Sequence, residues 1–154
     1  MKFPPPPLPS PSQPVFTPPP GACDAHVHVF GPSDKFPYHP KTTYTPVDAP
    51  KEKLRALHAL LGFDRSVIVQ ATCHGTDNSA TLDAIATSNG NWRGVAIVDE
   101  ESTERDFEVL HEGGIRGIRF SFARHLSGPP NFDRVHRIAE KIEGLGWHLV
   151  IYIE

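Results

Sequence analysis

Hydrophobic residues recur along this chain in two alternating patterns. From Gly21 onwards, short runs of apolar and β-branched residues alternate with segments in which apolar side chains return every three or four positions. The runs predict strands at 22–29, 66–70, 94–98, 115–120 and 147–153. The intervening segments predict helices that begin near Asp48, Asn78, Ser102 and Phe132. Strands that alternate with helices in this way form a parallel sheet.

The spacing of these elements favours a TIM-type (βα)8 barrel among the α/β folds. No G-x-G-x-x-G follows the first strand and no P-loop motif is present, so the nucleotide-binding folds that use these motifs are not supported. A complete barrel takes about 250 residues, whereas this chain has 154. We therefore expect residues 21–154 to form the N-terminal part of a barrel, truncated after about five strands.

The first twenty residues have a different character, because most of the 17 prolines lie there. Proline fixes φ and removes a backbone donor, so residues 1–20 are expected to form a disordered, extended leader rather than a helix or strand. A segment such as PPPPLP also has the composition of ligands for SH3- or WW-type grooves. A non-catalytic binding module recruited through this leader is therefore an alternative to an enzyme.

Composition and charge narrow the remaining possibilities. A formal net charge of −3 argues against nucleic acid as a partner, and no apolar run approaches the roughly 20 residues of a membrane helix. The two cysteines, Cys23 and Cys73, are too few for a disulfide framework and favour a reducing compartment. The chain is therefore expected to be a cytoplasmic protein without membrane contact.

The first strand carries a candidate catalytic pair in the motif Asp24-Ala25-His26-Val27-His28. Strict alternation would place Asp24, His26 and His28 on one face of the strand. Two imidazoles at this spacing can ligate one metal, with zinc as the candidate, or donate to one carbonyl oxygen. The alternative is a pair of polar residues on a solvent-facing strand.

Further candidate residues lie in the long first loop and at or just after the ends of the later strands, where barrel enzymes build their sites. Their side chains suit the binding of a small oxygen-rich substrate, and a guanidinium in particular suits a carboxylate or phosphate. The candidates are Tyr44, Thr72, His74, Arg119, Arg124, His125 and Tyr152. A capped βα turn and surface salt bridges are the alternatives for these positions.

Several motifs together carry a family resemblance. The segments GACDAHVHVFGP, VIVQATCHG, GIRGIRF and LGWHLVIY resemble the amidohydrolase superfamily, and within it the branch that contains 2-pyrone-4,6-dicarboxylate lactonase. The resemblance runs from about Gly21 to Glu154. It implies a hydrolase that opens the cyclic ester of a small dicarboxylic acid by water attack.

The resemblance also implies roles for individual residues. His26 and His28 would lie beside the scissile carbonyl, and the substrate would be held by Tyr44, Thr72, Arg119 and Tyr152. The lactonase branch works without a bound metal, so no cofactor is expected; zinc bound by the histidine pair, as in other members of the superfamily, is the alternative.

Parts of the family's site have no counterpart in this chain. The resemblance implies that a later histidine and the general-base aspartate fall beyond Glu154, and that a second substrate arginine stands where this chain has His125, with Arg124 one residue earlier. We therefore expect the chain alone to be inactive. The unpaired edges of an incomplete barrel also predict self-association.

Overall fold

The computed structural model describes residues 5–123 and 129–153, and it forms one open sheet of five strands covered by helices. The strands are β1 (Cys23–Val27), β2 (Arg65–Val69), β3 (Trp92–Ala96), β4 (Ile115–Ser121) and β5 (His148–Tyr152). The helices are α1 (Lys51–Leu61), α2 (Ser79–Ala86), α3 (Glu104–Glu112) and α4 (Phe132–Ile142). Short 3-10 turns lie at Thr72–His74 and Glu143–Leu145.

The strands are all parallel and lie in chain order from β1 to β5. Each βα unit adds its strand beside the previous one, as in half of a (βα)8 barrel. The predicted fold class is therefore confirmed, and every predicted strand and helix is present within a few residues of its expected bounds. The carboxyl ends of all five strands meet at one edge, and the candidate residues that the structure describes lie at or near this edge.

The outer face of the sheet holds the hydrophobic core. Ile68, Ile115 and Ile118 from the strands are fully buried, and Ile138 and Ile142 of α4 belong to the same cluster. Burial of one such side chain contributes roughly 1.5–3 kcal/mol to folding. The sheet is thus held by its helix-covered side, which leaves the inner face free to carry polar groups.

Two helices begin later than the sequence predicts. The N-cap of α1 is Pro50 rather than Asp48, and the N-cap of α3 is Thr103 rather than Ser102. Thr103 forms a capping box with Asp106, which satisfies two backbone donors at the start of α3. The carboxylate of Asp48 instead accepts hydrogen bonds from the backbone and hydroxyl of Ser33 and from the Tyr38 hydroxyl.

These Asp48 contacts join residues within the long loop after β1, and the backbone N–H of His39 joins the loop to the carbonyl of Cys73 after β2. Phe30 and Ala49, at the two ends of the loop, exchange two backbone hydrogen bonds of 3.0 and 2.8 Å. The loop therefore lies across the carboxyl edge of the sheet as an ordered segment. It is this segment that brings Tyr44 to the inner face.

Residues 5–20 contain neither helix nor strand. The Gln13 side chain donates to the carbonyl of Leu60 at the end of α1, with a separation of 3.3 Å. Disorder of the leader stays a prediction. Within residues 5–123 and 129–153, no helix is both long and apolar enough to cross a membrane.

Candidate functional site

A bulge in β1 determines where its histidines point. Asp24 pairs with Ser66 and Val27 pairs with Ile68. Two positions that are three residues apart on β1 therefore pair with positions that are two residues apart on β2. Asp24 therefore reaches α1 on the outer side, where its carboxylate lies 3.0 Å from Nε2 of His58. The prediction that Asp24 shares a face with His26 and His28 is wrong, because the bulge breaks the alternation.

His26 and His28 form an edge-to-face pair on the inner side. Their ring centroids lie 5.2 Å apart with an interplanar angle of 89°. Nδ1 of His28 lies 2.7 Å from the carbonyl oxygen of Val69. A carbonyl can only accept, so Nδ1 carries the proton, and Nε2 of neutral His28 retains a free lone pair.

The surroundings favour the neutral form of both rings. Burial lowers the pKa of His28, and the charges of Arg119 and His26 lower it further, against the opposing hydrogen bond to Val69. Burial and then Arg119 also lower the pKa of His26, with Asp24 opposing. At neutral pH the pair therefore offers lone pairs rather than two positive charges.

Arg119 supplies a positive charge to the inner face. Only 8% of the residue is exposed, and its Nη1 donates to the backbone carbonyl of Gln70 at 3.1 Å. Its guanidinium carbon lies 5.7 Å from the ring centroid of Tyr152. Among the described residues, the Nε group of Arg119 has no hydrogen-bond partner. A buried guanidinium with an unmet donor is suited to an anionic ligand.

Several candidate side chains lie within electrostatic reach of Arg119. Its charge lowers the pKa values of His26 and His28. Burial lowers the pKa of Arg119 itself, and Tyr44 and Tyr152 oppose that shift. The structure thus brings together side chains from β1, the long loop, β4 and β5.

Tyr44 and Thr72 form a second polar group at the same edge. Their hydroxyl oxygens lie 3.1 Å apart. Tyr44 is half-buried, and burial raises the pKa of its hydroxyl, so the phenol stays protonated and can donate at neutral pH. The pair presents neutral donors and acceptors beside the charge of Arg119.

Two polar residues of the site were not found by sequence reasoning. Gln70 is fully buried; its amide donates to the carbonyls of Gly75 and Asp77 and accepts from Thr81, and its backbone carbonyl holds Arg119. Ser121 is paired in register with Tyr152, and its buried hydroxyl has no partner among the described residues. The sequence signal for Gln70 was a polar residue at the end of an apolar, β-branched run.

The family model described as Amidohydrolase matches residues 23–153. The chain belongs to this amidohydrolase family. The amidohydrolase chain is 50% identical over 145 residues to a 2-pyrone-4,6-dicarboxylate hydrolase from Comamonas testosteroni, covering 94% of this chain and 48% of that protein. It is 42% identical over 125 residues to a 4-sulfomuconolactone hydrolase from Rhizobium radiobacter, covering 79% of this chain and 42% of that protein.

A solved structure resembles the amidohydrolase chain over the same extent. It is the crystal structure of a probable 2-pyrone-4,6-dicarboxylic acid hydrolase from Acinetobacter baumannii with citric acid bound. The TM-score is 0.75 at 25% identity, and the match covers 85% of this chain and 49% of that chain. The chain therefore spans about half the length of the relatives it matches.

His74 of the amidohydrolase chain is engaged in the structure of the long loop. Its Nε2 accepts from the backbone of Gly31, its Nδ1 lies 3.3 Å from the carbonyl of Pro37, and its ring packs on Tyr38. Both ring nitrogens thus contact backbone groups of the long loop, so His74 anchors this loop; its predicted contact with substrate stays a prediction. The predicted residues Arg124 and His125 lie outside the described residues.

The same geometry shows which of the described side chains could ligate a metal ion. His26 and His28 are two suitable nitrogen ligands. Within the part of the chain that the structure describes, no group of three His, Cys, Asp or Glu side chains is placed to hold a metal ion. Asp24, the nearest carboxylate in sequence, is bonded to His58 instead. The described residues therefore fit a metal only in part.

Proposed function

We propose that this chain supplies the histidine pair and a carboxylate-binding arginine of a hydrolase that opens the lactone of a small dicarboxylic acid, such as 2-pyrone-4,6-dicarboxylate. The observation that carries the proposal is the placement of Arg119. It is a buried cation on the inner face, with an unmet donor and with His26 and His28 within reach of its charge. The names of the matched relatives supply the substrate class.

In the proposed reaction, water attacks the carbonyl carbon of the lactone. The ring C–O bond then breaks, which leaves a carboxylate and a hydroxyl group on the opened product. Arg119 binds a substrate carboxylate that does not react, and the hydroxyl groups of Tyr44, Thr72 and Tyr152 bind further oxygens. This fixes the orientation of the ring before attack, and orientation is a major source of rate enhancement.

The histidine pair lies where charge develops on the carbonyl oxygen. In the free chain, neutral His28 is the Nδ1–H tautomer with a lone pair at Nε2. When the dicarboxylate binds, Nε2 takes up a proton from solvent, and the Nε2–H group then donates to the oxyanion. Loss of one oxyanion donor typically costs about 3–4 kcal/mol of transition-state stabilisation. The family resemblance assigns the general base to an aspartate outside the matched motifs, so the proposal is tested by binding rather than by turnover.

Calorimetric titration of the chain with 2-pyrone-4,6-dicarboxylate tests the proposal. We expect saturable binding that is weakened about 10- to 100-fold in Arg119→Met, because hydrogen bonds to a charged group contribute about 1.5–3 kcal/mol. Arg116→Met is the matched control, since the Arg116 guanidinium on the same strand bonds the carbonyls of His111 and Ile115. Equal affinity in the two variants would contradict the proposal.

A zinc-dependent hydrolase or decarboxylase-like enzyme is the second candidate. The observation that favours it is the hydrogen bond from His28 Nδ1 to the Val69 carbonyl, because metal-ligating histidines usually donate their other ring N–H to such an acceptor. His26 and His28 would hold the metal, which supplies Lewis acidity. Metal analysis after zinc loading, with His28→Gln as the comparison, distinguishes this candidate: stoichiometric zinc lost in the variant supports it.

Further proposals concern partners and compartment. Ile151 and Ile153, at the β5 edge of the sheet, are 47% and 60% exposed, which supports self-association through the open edges. Light scattering tests this, and a monomer at all concentrations would refute it.

We further propose that residues 1–20 are available to an SH3- or WW-type partner. We also propose that the protein is cytoplasmic, consistent with the free cysteines Cys23 and Cys73.

A further inference from the structure

A buried histidine outside the candidate site contacts the strand that carries the catalytic pair. His58 of α1 is only 3% exposed and packs edge-on between the rings of Phe63 and Trp92, at centroid distances of 5.7 and 5.9 Å. Its Nε2 lies 3.0 Å from Oδ2 of Asp24. Among the described residues, its Nδ1 has no hydrogen-bond partner.

The hydrogen bonds define the tautomer of this ring. A proton on Nε2 is donated to the Asp24 carboxylate and leaves only an acceptor at Nδ1 without a partner. A proton on Nδ1 would instead bury an unmet N–H donor, which is rarer and costs about 1–3 kcal/mol. His58 therefore acts as a fixed donor to Asp24, held in place by two aromatic neighbours.

Asp24 transmits this contact to β1. Its second oxygen, Oδ1, accepts the backbone N–H of His26 at 3.3 Å. The carboxylate thus bridges a helix and the bulge between Asp24 and Val27. The bulge is the feature that places Asp24 on the helix side while His26 and His28 face inwards.

We propose that Asp24 and His58 are a positioning pair, which fixes the β1 bulge and thereby aims His26 and His28 at the inner face. The catalytic consequence rests on the proposed function, whereas the positioning does not. Neither residue contacts substrate in this account. Their effect reaches the site only through the backbone of β1.

The test monitors the hydrogen bond from His28 Nδ1 to the Val69 carbonyl, which forms only when the His28 ring has the orientation described above. Long-range ¹H–¹⁵N NMR of the ligand-free 154-residue chain, labelled at histidine, reports the tautomer of His28; the His28→Gln variant assigns its signals. We expect a single Nδ1–H tautomer in the unmodified chain. His58→Phe keeps an aromatic ring but removes the donor, so the signal should shift to an average of two tautomers.

Three further variants make the outcome decisive. Asp24→Ala, at a partly exposed position, should cause the same shift and decides the matter if His58→Phe does not fold. His58→Gln restores an N–H donor and should keep the single tautomer. His136→Phe, at an exposed position on α4, is the matched control.

An unchanged His28 signal in folded Asp24→Ala would overturn the positioning pair, as would an equal shift in the His136→Phe control. Dicarboxylate binding is measured separately on the same samples. If the unmodified chain binds no dicarboxylate but the tautomer shifts as expected, the proposed function fails and the positioning pair stands. If the unmodified chain binds the dicarboxylate but the His28 tautomer does not shift in the variants, the positioning pair fails and the proposed function stands.

Discussion

The two faces of the sheet differ in what their side chains leave unsatisfied. On strand β4, Ile118 and Phe120 point to the helices and are almost fully buried in the core cluster. Their neighbours Arg119 and Ser121 point inwards, and each keeps a buried polar atom without a partner among the described residues. Such an atom costs about 1–3 kcal/mol. One strand therefore stabilises the fold with one face and offers unmet hydrogen bonds to a ligand with the other.

The largest expected effect concerns the outer face. Ile118→Ala should lower the free energy of unfolding by about 2–5 kcal/mol, because Ile118 is fully buried and its removal leaves a cavity. Ser121→Ala, on the inner face of the same strand, removes a hydroxyl without a partner among the described residues and should stay within about 0.5 kcal/mol. Urea denaturation measures both. A comparable loss in the two variants would break the distinction between the faces.

A smaller effect separates two tyrosines of the long loop. Tyr44→Phe removes the hydroxyl that faces Thr72 and should weaken dicarboxylate binding about fivefold, equivalent to roughly 1 kcal/mol, with little change in stability. Tyr38→Phe removes the hydrogen bond to Asp48 and should lower stability by roughly 1 kcal/mol without altering affinity. Calorimetry and urea denaturation on both variants check this; a loss of affinity in Tyr38→Phe would count against the assignment of Tyr44.

The smallest expected effect is a pH dependence of stability. Burial lowers the pKa values of His28 and His74 from about 6.5 in the folded chain. Below about pH 6.5 the unfolded chain therefore binds more protons than the folded chain, so stability should fall as the pH is lowered through this range. Carboxylates with lowered pKa values act below about pH 4 and do not contribute here.

Urea denaturation at about pH 7.5 and about pH 5.5 measures this dependence. His28→Gln should reduce the loss of stability between the two conditions, and His136→Gln, at an exposed helical position, should leave it unchanged. A protein that is equally stable at both values would contradict the burial of these rings.

Most of the fold could be predicted because hydrophobic periodicity records which face of each element is buried. The βα alternation predicted the strand order. The place of Arg119 near the end of a predicted strand indicated that it lies at the carboxyl edge of the sheet. Alternation failed at β1, because a bulge is a tertiary feature: the inserted residue is stabilised by Asp24 reaching His58 on a distant helix.

The roles of single polar residues were less predictable. Asp48 is a residue type that often caps helices, and His74 is a residue type that often binds substrates. In the structure both hold the long loop in place through partners that are remote in sequence. Gln70 holds Arg119 through its backbone carbonyl, which residue type cannot reveal. These contacts depend on loop conformation, which local sequence specifies only weakly.

The most direct test of the central claim is to follow the histidine ring signals of the chain by ¹⁵N NMR while 2-pyrone-4,6-dicarboxylate is added. The inner face carries His26 and His28, whereas His74 anchors the loop and His111 is stacked on Trp147. We predict saturable shifts of His26 and His28, with His74 and His111 unmoved. Shifts confined to His74 or His111, or no saturable shift at all, would contradict the account.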